Sequence, residues 1–173
     1  MSPASRSRRV LVTGANRGIG LEFVRQFRMR FGVGHVQRQH VPASQMDDSL
    51  RTNVTGPFLL TQALAAQLVD DAVVANLSSI LGSISQVDGF HTPSYAISKA
   101  AQNMATALLA RALAERGIRV LALHPGWVQT DMGGTGAQVA PEQAVRGLLQ
   151  VIDDSSLADS GRFIDWQGQS LPW

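Results

Sequence analysis

The stretch Arg9-Val10-Leu11-Val12-Thr13, followed by Gly14-Ala15-Asn16-Arg17-Gly18-Ile19-Gly20, constrains the fold of this chain more than any other. An apolar, β-branched run that stops at a glycine reads as a buried strand. From Gly18 to about Arg30 the apolar residues Ile19, Leu21, Val24 and Phe27 recur at helical spacing. Strand, glycine-rich turn and helix, in that order, open a βαβ unit and point to a parallel sheet.

The rest of the chain keeps the alternation. Residues 1–8 read as a polar, disordered leader, and 31–46 as loop. A helix is expected over Asp47–Leu68, with Leu50, Val54, Leu60 and Leu64 among its buried positions and Pro57 kinking or breaking it. Asp71–Leu77 reads as the second strand, ending in Ser78-Ser79, and 80–92 as a loop with Gly82 and Gly89. A helix then runs from Pro93 to about Arg116, with Gly117 as its stop. Ile118–Leu123 is the third strand, broken by Pro125-Gly126; Pro141 opens a helix to about Ile152; Gly161–Asp165 is a last short strand. The fold class is α/β, a doubly wound parallel sheet covered on both faces, in a single domain over residues 9–173.

Composition removes several classes of function. The 173 residues contain no cysteine, so disulfides, thiolate metal sites and cysteine nucleophiles are excluded. The four histidines show no metal-binding spacing, and no metal site is expected. Net charge is only +2 and the arginines are scattered, which leaves no basic face for nucleic acid. No apolar run reaches the roughly 18–20 residues that span a bilayer, and the start lacks the apolar core of a secretory signal. A cytoplasmic location is the expectation, without membrane or nucleic-acid partners.

Two local patterns carry chemistry. Glycines between strand and helix let the backbone approach a pyrophosphate, whose charge then meets the free N–H groups of the helix N-terminus. Packing alone also makes such turns glycine-rich. Arg17 within it suits a 2′-phosphate, favouring NADP over NAD, or is a solvated helix-start arginine. The second pattern is Pro93-Ser94-Tyr95-Ala96-Ile97-Ser98-Lys99, which holds the only tyrosine and the only lysine among fifteen lysines and arginines. Four residues apart on a helix, Tyr95 and Lys99 share a face. A phenol ionises near pKa ~10, and an ammonium beside it favours the phenolate, bringing proton transfer toward neutral pH. The alternative is a tyrosine capping the edge of the core beside a solvated lysine.

Taken together, TGANRGIG, NLSS, YAISK and HPGWVQTDM resemble, in order, the cofactor turn, serine strand, YxxxK motif and PGxVxT segment of the short-chain dehydrogenase/reductase family. ANLSSILGSI, HPGWVQTDMGG and GRFIDWQGQSLPW further resemble its carbonyl-reductase-like branch of C-factor and sniffer-type proteins. The resemblance implies a Rossmann-like fold and an NADP(H)-dependent oxidoreductase, NAD(H) being less favoured, that interconverts carbonyl and alcohol groups of a small molecule. Tyr95 would be the general acid/base, and Lys99 would assist it and hold the nicotinamide ribose. Ser79, rather than Ser78, would hydrogen-bond the substrate oxygen, and Asn53 in RTNVTGP would support a proton relay. The alternative for either serine is a strand-end cap, and for Asn53 a helix-kink side chain bonding backbone. Gly14, Asn16, Arg17, Gly18, Ile19 and Gly20 would bind cofactor, joined by Tyr95, Lys99, Pro125, Gly126, Val128 and Thr130. A homodimer or homotetramer is implied, through the helices containing Asn53 and Tyr95.

The chain departs from the family between the first helix and the Asn53 helix. Where the family has two further βα units and a strand ending in NNAG, only Met29–Asp48 intervene. The sheet is therefore expected to be abbreviated, its second to fourth strands largely missing, and cofactor binding weakened. A competing reading follows: a cofactor-impaired homologue acting in signalling or protein interaction.

Overall fold

The computed structural model describes residues 41–173, and Val41–Trp173 form one compact unit. The leader, the first strand, the glycine-rich turn and the first helix all lie outside the described residues, as do Gly14, Asn16, Arg17, Gly18, Ile19 and Gly20.

Within them are helix α1 (Ala43–Leu50), a π-helical turn (Arg51–Thr55), helix α2 (Gly56–Leu64), strand β1 (Val73–Leu77), helix α3 (Pro93–Leu113), strand β2 (Arg119–His124), helix α4 (Pro141–Asp154) and strand β3 (Phe163–Asp165). Single 3₁₀ turns cover Ile80–Gly82, Ala114–Arg116 and Leu157–Asp159. The strands form one parallel sheet in the order β1-β2-β3, with Leu77 opposite Leu123 and Leu123 opposite Ile164. This is the expected α/β, Rossmann-like arrangement with an abbreviated sheet, three strands being present among the described residues.

Strand β2 is central, which explains why its sequence is apolar at consecutive positions rather than at alternate ones. Val120 faces a cluster with Leu109, Ala110 and Leu113 of α3, backed by Phe58, Ala65 and Leu68. Leu121 and Leu123 face the other way, onto Leu148 of α4, with Val151, Ile152 and Trp166. Side chains along a strand alternate between faces, so the two crossover helices cover opposite faces of the sheet. Both crossovers step in the same direction across the sheet yet cover different faces. They therefore have opposite hands, and one departs from the right-handed rule that governs about 98% of such units.

The helix expected over Asp47–Leu68 begins earlier, at Ala43, and ends at Leu64. Pro57 has no N–H, and its ring opposes the carbonyl four residues back. The chain accommodates it with the π-helical turn directly before α2. Beyond it the inward positions are Phe58, Thr61, Ala65 and Leu68, which continue the helical spacing of Leu50 and Val54. Leu50 and Val54 are half-buried, but Leu60 and Leu64 are 60% and 44% exposed, against expectation.

Helix α3 starts with Pro93 at its first turn and ends near Gly117, whose φ of +68° is a left-handed conformation suited to glycine. That turn returns the chain directly into β2.

Candidate active site

In parallel sheets of this kind, ligands bind beyond the carboxyl ends of the strands. Register brings the ends of β1 and β2 side by side, so Ser78-Ser79 and Pro125-Gly126 emerge together at that edge.

The two serines have different fates. Ser78 continues the ladder, its N–H donating to the Leu123 carbonyl at 2.7 Å. It is buried, and its hydroxyl donates to Asn103 Oδ1 on α3 at 2.5 Å. Ser79 is half-buried and caps the 3₁₀ turn, its Oγ accepting from the Leu81 N–H at 3.3 Å. Ser78 thus ties strand to helix, whereas Ser79 sits at the mouth of the strand edge.

The turn after Ser79 is pressed against α3. A Cβ placed on Gly82 would lie 2.8 Å from the carbonyl carbon of Lys99 and 3.0 Å from the Ala100 nitrogen, so only glycine permits this approach. Asn103 Nδ2 donates to the Gly82 carbonyl at 3.4 Å, and the Ile80 N–H donates to His124 Nδ1 at 3.3 Å. Beyond the turn, Ser83 Oγ donates to the Pro172 carbonyl and the Ser85 N–H to that of Trp173.

Tyr95 and Lys99 share one face of α3, with the Lys99 ammonium 5.6 Å from the centre of the phenol ring. Lys99 is buried; its Nζ donates to the Leu77 carbonyl at 2.7 Å and to Gln102 Oε1 at 2.9 Å. Burial pushes its pKa below the ordinary lysine value. The cation is therefore bridged between the end of β1 and the tyrosine.

Asn53 reaches the same helix from the π-helical turn. Its Nδ2 donates to Ser98 Oγ at 2.9 Å, and Ser98 Oγ donates to the Tyr95 carbonyl at 2.8 Å. The asparagine thus braces the tyrosine's own turn of α3.

After β2, Val128 pairs with Val139 in an isolated bridge, and Thr130 Oγ1 accepts from the Gly133 N–H at 3.1 Å. Trp127 Nε1 donates to the Gly133 carbonyl at 2.8 Å. The 127–139 loop is thus folded back on itself beside the Pro125-Gly126 turn. A cleft of about 370 Å³, lined by Gln150, Asp154, Trp166 and Gln167 among others, shares no residue with this site.

Sequence reasoning missed four supporting residues. Ser98 and Gln102 stand three places after Tyr95 and Lys99, a helical spacing that does signal neighbours. Asn103 and His124 give no such signal, because their partners are distant in sequence. Among the described residues no group of histidine and acidic side chains could hold a metal ion, and no helix is long and apolar enough to cross a membrane.

A parallel, doubly covered sheet with a serine turn, a YxxxK helix and a PG turn at its carboxyl edge defines a class of protein. The chain belongs to the short-chain dehydrogenase family, whose sequence profile matches residues 31–139. It is 39% identical over 135 residues to the C-signal protein of Myxococcus xanthus, covering 77% of this chain and 81% of that one. It is 36% identical to a 1-hydroxy-2-glutathionyl-2-methyl-3-butene dehydrogenase of Rhodococcus, covering 72% of this chain and 57% of that one. Among solved structures it resembles the carbonyl reductase Sniffer of D. melanogaster, with a TM-score of 0.72 and 30% identity over 82% of this chain and 62% of that one. It also resembles an NADPH-bound carbonyl reductase from chicken fatty liver, with a TM-score of 0.70 and 32% identity over 89% and 71% of the two chains. The chain thus spans less than two thirds of Sniffer and of the Rhodococcus enzyme.

Proposed function

We propose that this chain is an NADP(H)-dependent oxidoreductase that interconverts carbonyl and alcohol groups of a small molecule. The observation that carries the reading is the Lys99 ammonium, held between the Leu77 carbonyl and the Tyr95 ring at the carboxyl edge of the sheet. The donor set suits a nicotinamide ribose. Among the described residues, Leu77 and Gln102 take up two of the three ammonium hydrogens, and the phenol lies beside the same cation. A bound nicotinamide would supply or accept the hydride.

The chain's own residues then divide the remaining work. Tyr95 gives its hydroxyl proton to the substrate oxygen during reduction, and the Lys99 cation favours the phenoxide left behind. Ser79 donates a hydrogen bond to that oxygen as charge gathers on it. Asn53 keeps the first turn of α3 in place through Ser98. Pro125, Gly126, Val128 and Thr130 form the wall against the nicotinamide end. Gly14, Asn16, Arg17, Gly18, Ile19 and Gly20 receive the phosphates, with Arg17 selecting NADP(H). Binding is weaker than in longer relatives, because Met29–Asp48 replace most of the family's adenosine-binding region.

The same helices suit self-association. Leu59 and Leu60 of α2, and Ile97, Met104 and Leu108 of α3, are exposed apolar side chains, and a homodimer or homotetramer would cover them.

Thermal denaturation of purified protein with NADPH and with NADH, followed by turnover on a panel of aldehydes and ketones, tests the reading. A larger stabilisation by NADPH and NADPH-dependent reduction of at least one carbonyl are expected. Absence of both would refute it.

A further inference from the structure

His124 is the last residue of β2, and its ring serves the turn that places Ser79. The first N–H groups of any helical turn lack partners inside it. Here Leu81 uses the Ser79 hydroxyl and Ile80 uses His124 Nδ1, 44 residues away in sequence. A ring nitrogen accepts a hydrogen bond only when it carries no proton, so this contact specifies a neutral imidazole with its proton on Nε2. Burial pushes the His124 pKa below the ordinary histidine value, while the Asp165 carboxylate on β3 pulls it upward. Asp165 is itself buried, its Oδ1 accepting from the Gln167 and Gln169 N–H groups. Helix α3, also packed on β2, contributes Tyr95 and Lys99, the latter tied to Leu77. The serine turn brings no charge.

The turn has three attachments. Gly82 and Asn103 join its far end to α3, and Ser83 and Ser85 join the following residues to Pro172 and Trp173. The attachment immediately after Ser79 is the one made by His124. We infer that His124 is a positioning residue, holding the Ser79 hydroxyl in register with Tyr95 through the Ile80 N–H and releasing it when the imidazole is protonated. The catalytic consequence rests on the reductase reading above; the structural one does not.

The test uses the full chain and two variants. In His124→Asn the amide oxygen stands where Nδ1 stood and accepts without titrating, whereas His124→Leu accepts nothing. Protection of the Ile80 amide against hydrogen exchange is followed by NMR from about pH 8 to about pH 5, the range over which histidine titrates. Over the same range kcat and KM are measured with NADPH and a reducible aldehyde. In the unmodified protein, Ile80 protection and kcat should fall together on the acid side while KM changes little. His124→Asn should keep both, flattening the acid limb. His124→Leu should lose Ile80 protection at every pH and lower kcat by about tenfold to a hundredfold, the effect of a misplaced catalytic group. Unchanged Ile80 protection in His124→Leu, or an undiminished acid limb in His124→Asn, would overturn the inference whatever the activity. If exchange follows the expectation but no carbonyl is reduced by any form, the reductase reading fails and the positioning role stands.

Discussion

Replacing Gly82 with alanine tests how tightly the serine turn is seated on helix α3. The added Cβ would meet the Lys99 carbonyl carbon at 2.8 Å, Lys99 Cβ at 2.9 Å and the Ala100 nitrogen at 3.0 Å. Carbon contacts are comfortable at about 3.5–4.0 Å, so roughly 0.5–1 Å of relief is needed. The opposing atoms are mostly backbone of a 21-residue helix and cannot yield alone, so the turn must move. Overpacking of this kind costs about 1–3 kcal/mol. Alanine also restricts the unfolded chain, which returns about 0.4–1 kcal/mol. A net loss near 1–2 kcal/mol corresponds to a fall of about 2–8 °C in Tm for a chain of this size. Ser79 travels with the turn, so kcat should drop by more than the stability change alone accounts for. Circular dichroism melts and NADPH turnover read the two effects. Gly56→Ala is the control: its Cβ meets nothing closer than the Arg51 carbonyl at 3.4 Å, and alanine there should add roughly 0.5–1 kcal/mol through helix propensity. An unchanged or higher Tm for Gly82→Ala, with normal turnover, would refute the close packing described here.

Other expectations follow from the same geometry. Tyr95→Phe should abolish turnover while leaving the Tm shift produced by NADPH nearly intact; retained turnover would remove the phenol from the mechanism. Ser78→Ala should cost about 1–3 kcal/mol in urea denaturation, because it strands the buried Asn103 Oδ1, whereas Ser79→Ala should cost only the lost turn cap, roughly 0.5–1 kcal/mol, and lower kcat. The reverse pattern would exchange their roles. Stability should also depend on pH through two bases whose pKa values burial depresses. Below the ordinary histidine value of 6.5, the unfolded chain binds a proton that folded His124 resists. Its contribution is thus full above that pH and is lost as pH falls toward the folded value. For Lys99 the same sign applies in alkali: stability rises with pH between its depressed folded pKa and 10.5. Urea midpoints across pH should show both limbs, the acid one absent in His124→Asn.

The Pro93–Leu113 helix, its glycine stop and the strand after it were legible because each rests on local signals: a proline at the first turn, apolar spacing and a residue tolerant of positive φ. Leu60 and Leu64 are exposed because the inward helical face of Leu50 and Val54 continues through Phe58, Thr61, Ala65 and Leu68, which leaves Leu60, six places after Val54, on another side. That face carries Thr61 and Ala65, a polar and a small side chain, so hydrophobicity alone did not mark it.

The sequence by itself determined the alternating α/β order and the pairing of Tyr95 with Lys99 on one helical face, since both depend on spacings of a few residues. Only the tertiary structure decided which serine is committed to the core, how Asn53 braces Tyr95 and what His124 holds. Those contacts join residues 25 to 45 positions apart and exist only once the strands are aligned, a geometry that leaves no periodic trace along the chain.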